Sequence, residues 1–180
     1  ARRRGEKDGR GSLPQLLRIP GVPEVMVSFA CYSAVECTAG MWAASYCTLV
    51  RGIDAGTAAG WASLFYLGIT VGRFFCGFLT MKFNDHQMIR GGQAVILAGL
   101  VLIFLPAGNT LLFAGLIIVG LGCAPIYPSI IHETPANFGR NLSMSMTGVQ
   151  MAAAYVGTTL LPPFFGLLAQ HISMRLFPWY

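Results

Sequence analysis

Charge is what this 180-residue chain has least of. Only 11% of its residues are Asp, Glu, Lys or Arg, against about a quarter in an ordinary soluble domain. Hydrophobic residues make up 54%, and the mean hydropathy is +0.61. So few polar side chains cannot cover a water-facing surface, and the apolar content excludes disorder beyond the polar first twenty or so residues. Cysteine is present in a pattern that excludes a disulfide scaffold. Cys31, Cys37, Cys47, Cys76 and Cys123 are odd in number and lie in apolar stretches. They form no C-x-x-C and no zinc-type spacing, and read as small hydrophobes. Catalytic signatures are missing as well. His132-Glu133 begins like H-E-x-x-H, but position 136 is Ala and Pro135 interrupts the motif. There is no G-x-S-x-G and no P-loop. No metal site, cofactor or enzyme activity is predicted.

What is there is an all-α, polytopic membrane helical bundle. About 20 apolar residues cross a bilayer as a helix, and five stretches qualify: about 25 to 50, 56 to 81, 88 to 105, 110 to 131 and 142 to 169. A sixth is expected to start near Ile172. Polar turns at 51–54, 84–87 and 106–109 and a loop from His132 to Asn141 separate them. The formal charge of +5 does not indicate nucleic acid. Half of the twelve basic residues (Arg2, Arg3, Arg4, Lys7, Arg10 and Arg18) form a head without interleaved aromatics. The head, Arg73, Lys82, Arg90 and Arg140 fall on one side of the bundle, and only Arg51 and Arg175 on the other. The positive-inside rule therefore puts the head in the cytoplasm and the protein in a plasma or inner membrane, with the lipid bilayer as its surroundings. Residues 1–22 read as a basic cytoplasmic linker and 23–180 as the transmembrane unit. The polar start at Ala1 and the abrupt apolar end read as a piece of a longer protein, cut at both ends.

Polar residues at membrane depth are the functional candidates, because they are costly there. Glu36 lies mid-span in the first stretch. It can accept hydrogen bonds from solute hydroxyls, bind and release a proton, or make a structural hydrogen bond to a neighbouring helix. Tyr32 shares its face one turn earlier and can bond the carboxyl or point into a cavity. Trp42 can anchor the interface or stack on a sugar. Gln150 offers two donors and two acceptors, for a polyhydroxyl ligand or for a tie between helices. Tyr155 and Tyr127 are weaker candidates of the same kind. Arg73, with Lys82 beyond it, is expected to form a cytoplasmic charge clamp, with snorkelling to the interface as the alternative for Arg73.

Backbone features add hinges. Pro125 and Pro128 remove two donors and should bend the fourth span, as a static kink or a functional one. Pro162 and Pro163 mark a second break, either an outer gate or the end of the straight helix. Gly56, Gly60, Gly68, Gly72 and Cys76 form a small-residue ridge on one helix face, suited to close packing in lipid. The third span has no polar side chain after Gln93 and can face lipid.

Three stretches carry a family resemblance. They are Gly72-Arg73-Phe-Phe-Cys-Gly77-Phe-Leu-Thr-Met-Lys82-Phe ending with Arg90-Gly91, Gly120-Leu-Gly-Cys-Ala-Pro-Ile-Tyr-Pro128 continuing to Leu161-Pro-Pro-Phe-Phe-Gly166, and Tyr32-x-x-x-Glu36-x-x-x-Gly40-x-Trp42. Together they resemble the C-terminal half of major facilitator superfamily transporters, most of all the fucose-permease-like branch, from about Pro23 to Tyr180. The family's loop motif between helices eight and nine is degenerate here: Gly77 and Lys82 fit, while Met81, Asn84 and Asp85 replace its Asp, Gly and Arg. The resemblance implies helices seven to eleven of twelve, with the start of the twelfth. It implies half of a secondary transporter working by alternating access on a small polar, sugar-like solute. A proton is the coupling ion and the missing N-terminal half is the partner. Glu36, Tyr32 and Gln150 would line its site. A homodimerising half-transporter and a non-transporting membrane sensor or scaffold are the alternatives.

Overall fold

In hydrocarbon a backbone must satisfy its own polar groups, so apolar stretches of this length become helices. A computed structural model describes residues 13–105 and 108–180. The basic head up to Arg10, and Pro106-Ala107 of one turn, lie outside the described residues. The short helix α1 (Leu13–Leu16) leads into α2 (Val22–Arg51), α3 (Ala55–Leu79) and α4 (Asp85–Phe104). The next span is broken into α5 (Asn109–Cys123) and α6 (Ile126–Phe138), and α7 (Arg140–His171) follows. A 3₁₀ turn, Met174–Trp179, closes the chain. The sixth span expected near Ile172 is therefore a 3₁₀ turn over its first residues, started by Ser173 accepting from the Arg175 N–H.

Among the described residues four stretches are long and apolar enough to cross a membrane by composition: Ala55–Leu79, Asp85–Phe104, Asn109–Phe138 and Arg140–His171. The remaining predicted span is α2, a helix of 30 residues, about 45 Å long. Glu24, Ser28, Ser33, Glu36, Thr38, Ser45 and Thr48 interrupt its apolar run. That polarity is the first sign that α2 faces something other than lipid.

The turns follow from local chemistry. Gly52 (φ 65°) ends α2 in the left-handed conformation, with its N–H returned to the Cys47 carbonyl. Asp54 accepts from the Gly56 and Thr57 N–H groups and starts α3. Asn84 and Gln87 form a capping box on α4. Arg51 reaches across to the Ile103 carbonyl (3.0 Å), tying the end of α2 to that of α4.

Packing puts α2 along α7, and α5 between α3 and α4. The core gathers Phe29, Phe65, Leu112, Leu116 and Cys123, all buried. Only part of the predicted glycine ridge is used. A side chain at Gly68 would meet the Ile117 carbonyl at 2.6 Å, and one at Gly72 the Ala124 methyl at 2.5 Å. Gly60 faces open space, and Gly56 is near only the Asp54 carboxylate that caps the helix. Helix α4 buries just Met88, Gly92, Gly99 and Ile103, so its remaining face is free for lipid.

Two backbone expectations need correction. The stretch from His132 to Phe138 is helical, with Pro135 inside α6; Gly139 (φ 81°) makes the turn instead. Pro162 and Pro163 do not break α7, which runs on to His171. The two prolines remove the N–H donors to the Thr158 and Thr159 carbonyls, and neighbouring side chains donate to carbonyls at and just beyond this turn. The Cys37 thiol points at the Thr158 carbonyl (4.0 Å), Trp42 Nε1 donates to the Pro162 carbonyl (3.0 Å), and the Tyr180 hydroxyl donates to the Leu161 carbonyl (2.8 Å). Such rescue is what allows proline inside a membrane helix. The break expected at Pro125 is present, as a turn at Ala124-Pro125 between α5 and α6.

Candidate functional site

Glu36 sits near the middle of α2, about 21 Å along the helix from Val22 at 1.5 Å per residue. Its side chain is 26% exposed. Tyr32, one turn back and 7% exposed, donates its hydroxyl proton to the Glu36 carboxylate. The same hydroxyl lies 3.0 Å from the Cys123 carbonyl. That carbonyl is available because α5 ends at Cys123, and the last carbonyls of a helix lack intrahelical partners. A phenol carries one proton, and here two acceptors compete for it.

Arg73 reaches the same carboxylate from α3. Its Nη2 is 3.7 Å from Glu36 Oε1, and its side chain is half exposed. Arg73 thus ties α3 to α2 inside the bundle rather than forming a clamp at the basic end. Lys82 is exposed and forms no ion pair among the described residues. Two other pairs hold that end: His132 Nδ1 to Asp85 Oδ2 (2.8 Å) and His86 Nε2 to Glu133 Oε1 (2.9 Å). They join the start of α4 to the middle of α6. The sequence signal was two adjacent His–acid dipeptides, and only the helix pairing brings them together.

Around Glu36 and Arg73 an open cavity of about 500 Å³ lies between α2, α3, α6 and α7. Tyr32, Tyr66, Tyr127 and Tyr155 line it, with Ser33, Cys37, Met151 and Thr158. Tyr66 was not anticipated from sequence. Its hydroxyl packs on the bare backbone of Gly40, where any Cβ would overlap it. Tyr127, at the start of α6, is placed by the Pro125 turn and contacts Met151 Sδ at 3.4 Å. Tyr155 is 70% exposed.

Two sequence candidates lie elsewhere. Gln150 is 1% exposed. It accepts from the Thr134 hydroxyl at 3.0 Å, tying α7 to α6, and its Nε2 has no partner among the described residues. Trp42 packs edge-on against Phe165, with ring centroids 5.6 Å apart, and bonds the α7 backbone. Neither lines the cavity of Glu36. Among the described residues no group of three or more His, Cys, Asp or Glu could hold a metal ion.

The family described as Major Facilitator Superfamily matches residues 25–180. Among curated proteins, Bypass of stop codon protein 6 of Saccharomyces cerevisiae is 24% identical over 174 residues, which cover 91% of this chain and 35% of that protein. Among solved structures, the chain superposes on FucP, a Major Facilitator Superfamily transporter in the outward conformation, with a TM-score of 0.77 and 20% identity. The match covers 97% of this chain and 43% of that one. A variant of the E. coli fucose:proton symporter FucP gives a TM-score of 0.76 with the same identity and coverage. The chain therefore spans well under half the length of these relatives.

Proposed function

The chain belongs to the Major Facilitator Superfamily, and we propose that it forms the C-terminal half of a secondary transporter for a small, polar, sugar-like solute. The observation that carries this reading is the cavity. One opening between the helices brings together a carboxylate, a guanidinium and four tyrosine hydroxyls. Its volume falls within the range of small-molecule sites. Ionisable side chains at this depth are retained where they bind or couple. In transporters of paired halves the site lies near the midplane, and the halves rock around it. The partner wall would come from the N-terminal half, with residues 1–22 as the end of the connecting loop and the basic end in the cytoplasm.

The proton is the proposed coupling ion, bound at Glu36. Supporting this is the hydrogen-bond arithmetic of Tyr32, which has two acceptors for one proton. The test is uptake by the full protein that carries this chain, reconstituted in proteoliposomes. Labelled hexoses and hexose derivatives are supplied with and without an inward proton gradient. Accumulation that requires the gradient is expected. Failure of a folded, reconstituted protein to move any of them would overturn the reading.

A further inference from the structure

We propose that the solute carries a carboxylate beside its hydroxyls, a sugar acid rather than a neutral sugar, and that Arg73 anchors it while Glu36 takes the proton. This rests on the transporter reading above and adds the charge of the cargo. A guanidinium has five N–H donors and no acceptor. Arg73 is half exposed in the cavity, and its ion pair with Glu36 stands at 3.7 Å, beyond hydrogen-bond length. No hydrogen bond from its guanidinium to a protein acceptor is present among the described residues. Half exposed in the open cavity, the guanidinium presents its donors to whatever enters it. Its planar fork fits a carboxylate through two parallel bonds, which a neutral hydroxyl cannot match.

Charge balance then fixes the role of Glu36. With Glu36 ionised, the Glu36–Arg73 pair is neutral, and a second carboxylate would leave a net negative charge in a site of low dielectric. With Glu36 protonated, Arg73 and the solute carboxylate form the neutral pair. The proton has a place prepared for it: Glu36 donates to Tyr32 Oη, and the Tyr32 proton passes to the Cys123 carbonyl. The other titratable groups around Glu36 are Tyr32 and Cys37 from α2, Tyr66 from α3, Cys123 from α5, Tyr127 from α6 and Tyr155 from α7. Arg73 stays charged throughout. Phenols and thiols are protonated at neutral pH in water, so the carboxylate is the group that accepts a proton. One proton and one solute anion cross together, with no net charge moved.

D-Galacturonate and D-galactose differ only at C6, a carboxylate against a hydroxymethyl, and serve as the probe pair. Uptake of each is measured with the full protein in proteoliposomes, acid outside. Galacturonate is expected to be favoured by at least about tenfold, the factor that one charge-assisted bond carries. Arg73→Gln should bring the ratio to about 1, and Arg73→Lys should keep part of it. Galacturonate uptake should carry no current under an imposed membrane potential. Galactose taken up as well as galacturonate by the unmodified protein would overturn this proposal while leaving a sugar transporter standing. An undiminished preference in Arg73→Gln would overturn the role of Arg73. Transport of neither probe would overturn this proposal, and the sugar-like reading falls with it when no other hexose or derivative is moved either. The unmodified protein's selectivity decides the solute's charge even if the variants fail to fold.

Discussion

At the residue scale, the account turns on one hydroxyl. Tyr32 is buried, bonds the carboxylate of its own helix and reaches the end of α5. Tyr32→Phe removes that donor and leaves the Cys123 carbonyl unpaired. A buried polar group left without a partner costs about 1–3 kcal/mol, so the thermal midpoint in detergent should fall. Gradient-driven uptake should fall several-fold with it. A phenylalanine variant with unchanged melting and unchanged uptake would remove Tyr32 from the site. Glu36 and Tyr32 were legible in the sequence because a carboxylate inside an apolar run is conspicuous and a tyrosine four residues away must share its face. Arg73 was legible as a charge, while its partner was not, since its position in the chain points to the basic end. Tyr66 gave no signal at all. Only the pairing of α2 with α3 shows that Gly40 is bare so that a phenol can lie on it.

At the scale of elements, the two proline pairs look alike in sequence and act differently. Pro125 sits in a real break, with Pro128 in the first turn of α6, and the break frees the Cys123 carbonyl and places Tyr127 at the cavity. Pro162 and Pro163 lie in an unbroken helix whose carbonyls take donors from Cys37, Trp42 and Tyr180. No local rule separates the two cases, because the donors come from elsewhere in the chain. Pro163 is exposed, so Pro163→Ala should change stability by no more than about 0.5 kcal/mol and leave uptake near its original rate. Pro125→Ala restores a backbone donor at the break, favours a straighter span and should reduce uptake markedly. Rate and melting temperature, measured side by side for both variants, check this. Equal effects would mean that the break at Pro125 has no special part. The spans themselves were legible almost throughout, since a bilayer demands long apolar helices. The errors sit at the ends, where Pro135 was read as a loop and the last segment as the start of an α-helix.

At the scale of the molecule, the helices separate by polarity. Helix α4 turns a bare apolar face outward, while α2 presents Tyr32, Ser33 and Glu36 to the cavity shared with α3, α6 and α7. The chain matches FucP over 97% of its own length and 43% of the other, and on the proposed function the cavity is one wall of the site. The central claim is that this wall binds a solute together with a proton at Glu36. The most direct measurement is proton entry driven by solute. The full protein is reconstituted in vesicles holding a pH-sensitive dye, and D-galactose or D-galacturonate is added outside. The account predicts that the lumen acidifies with the unmodified protein and that the acidification is lost with Glu36→Gln. Acidification by Glu36→Gln at the original rate would contradict it.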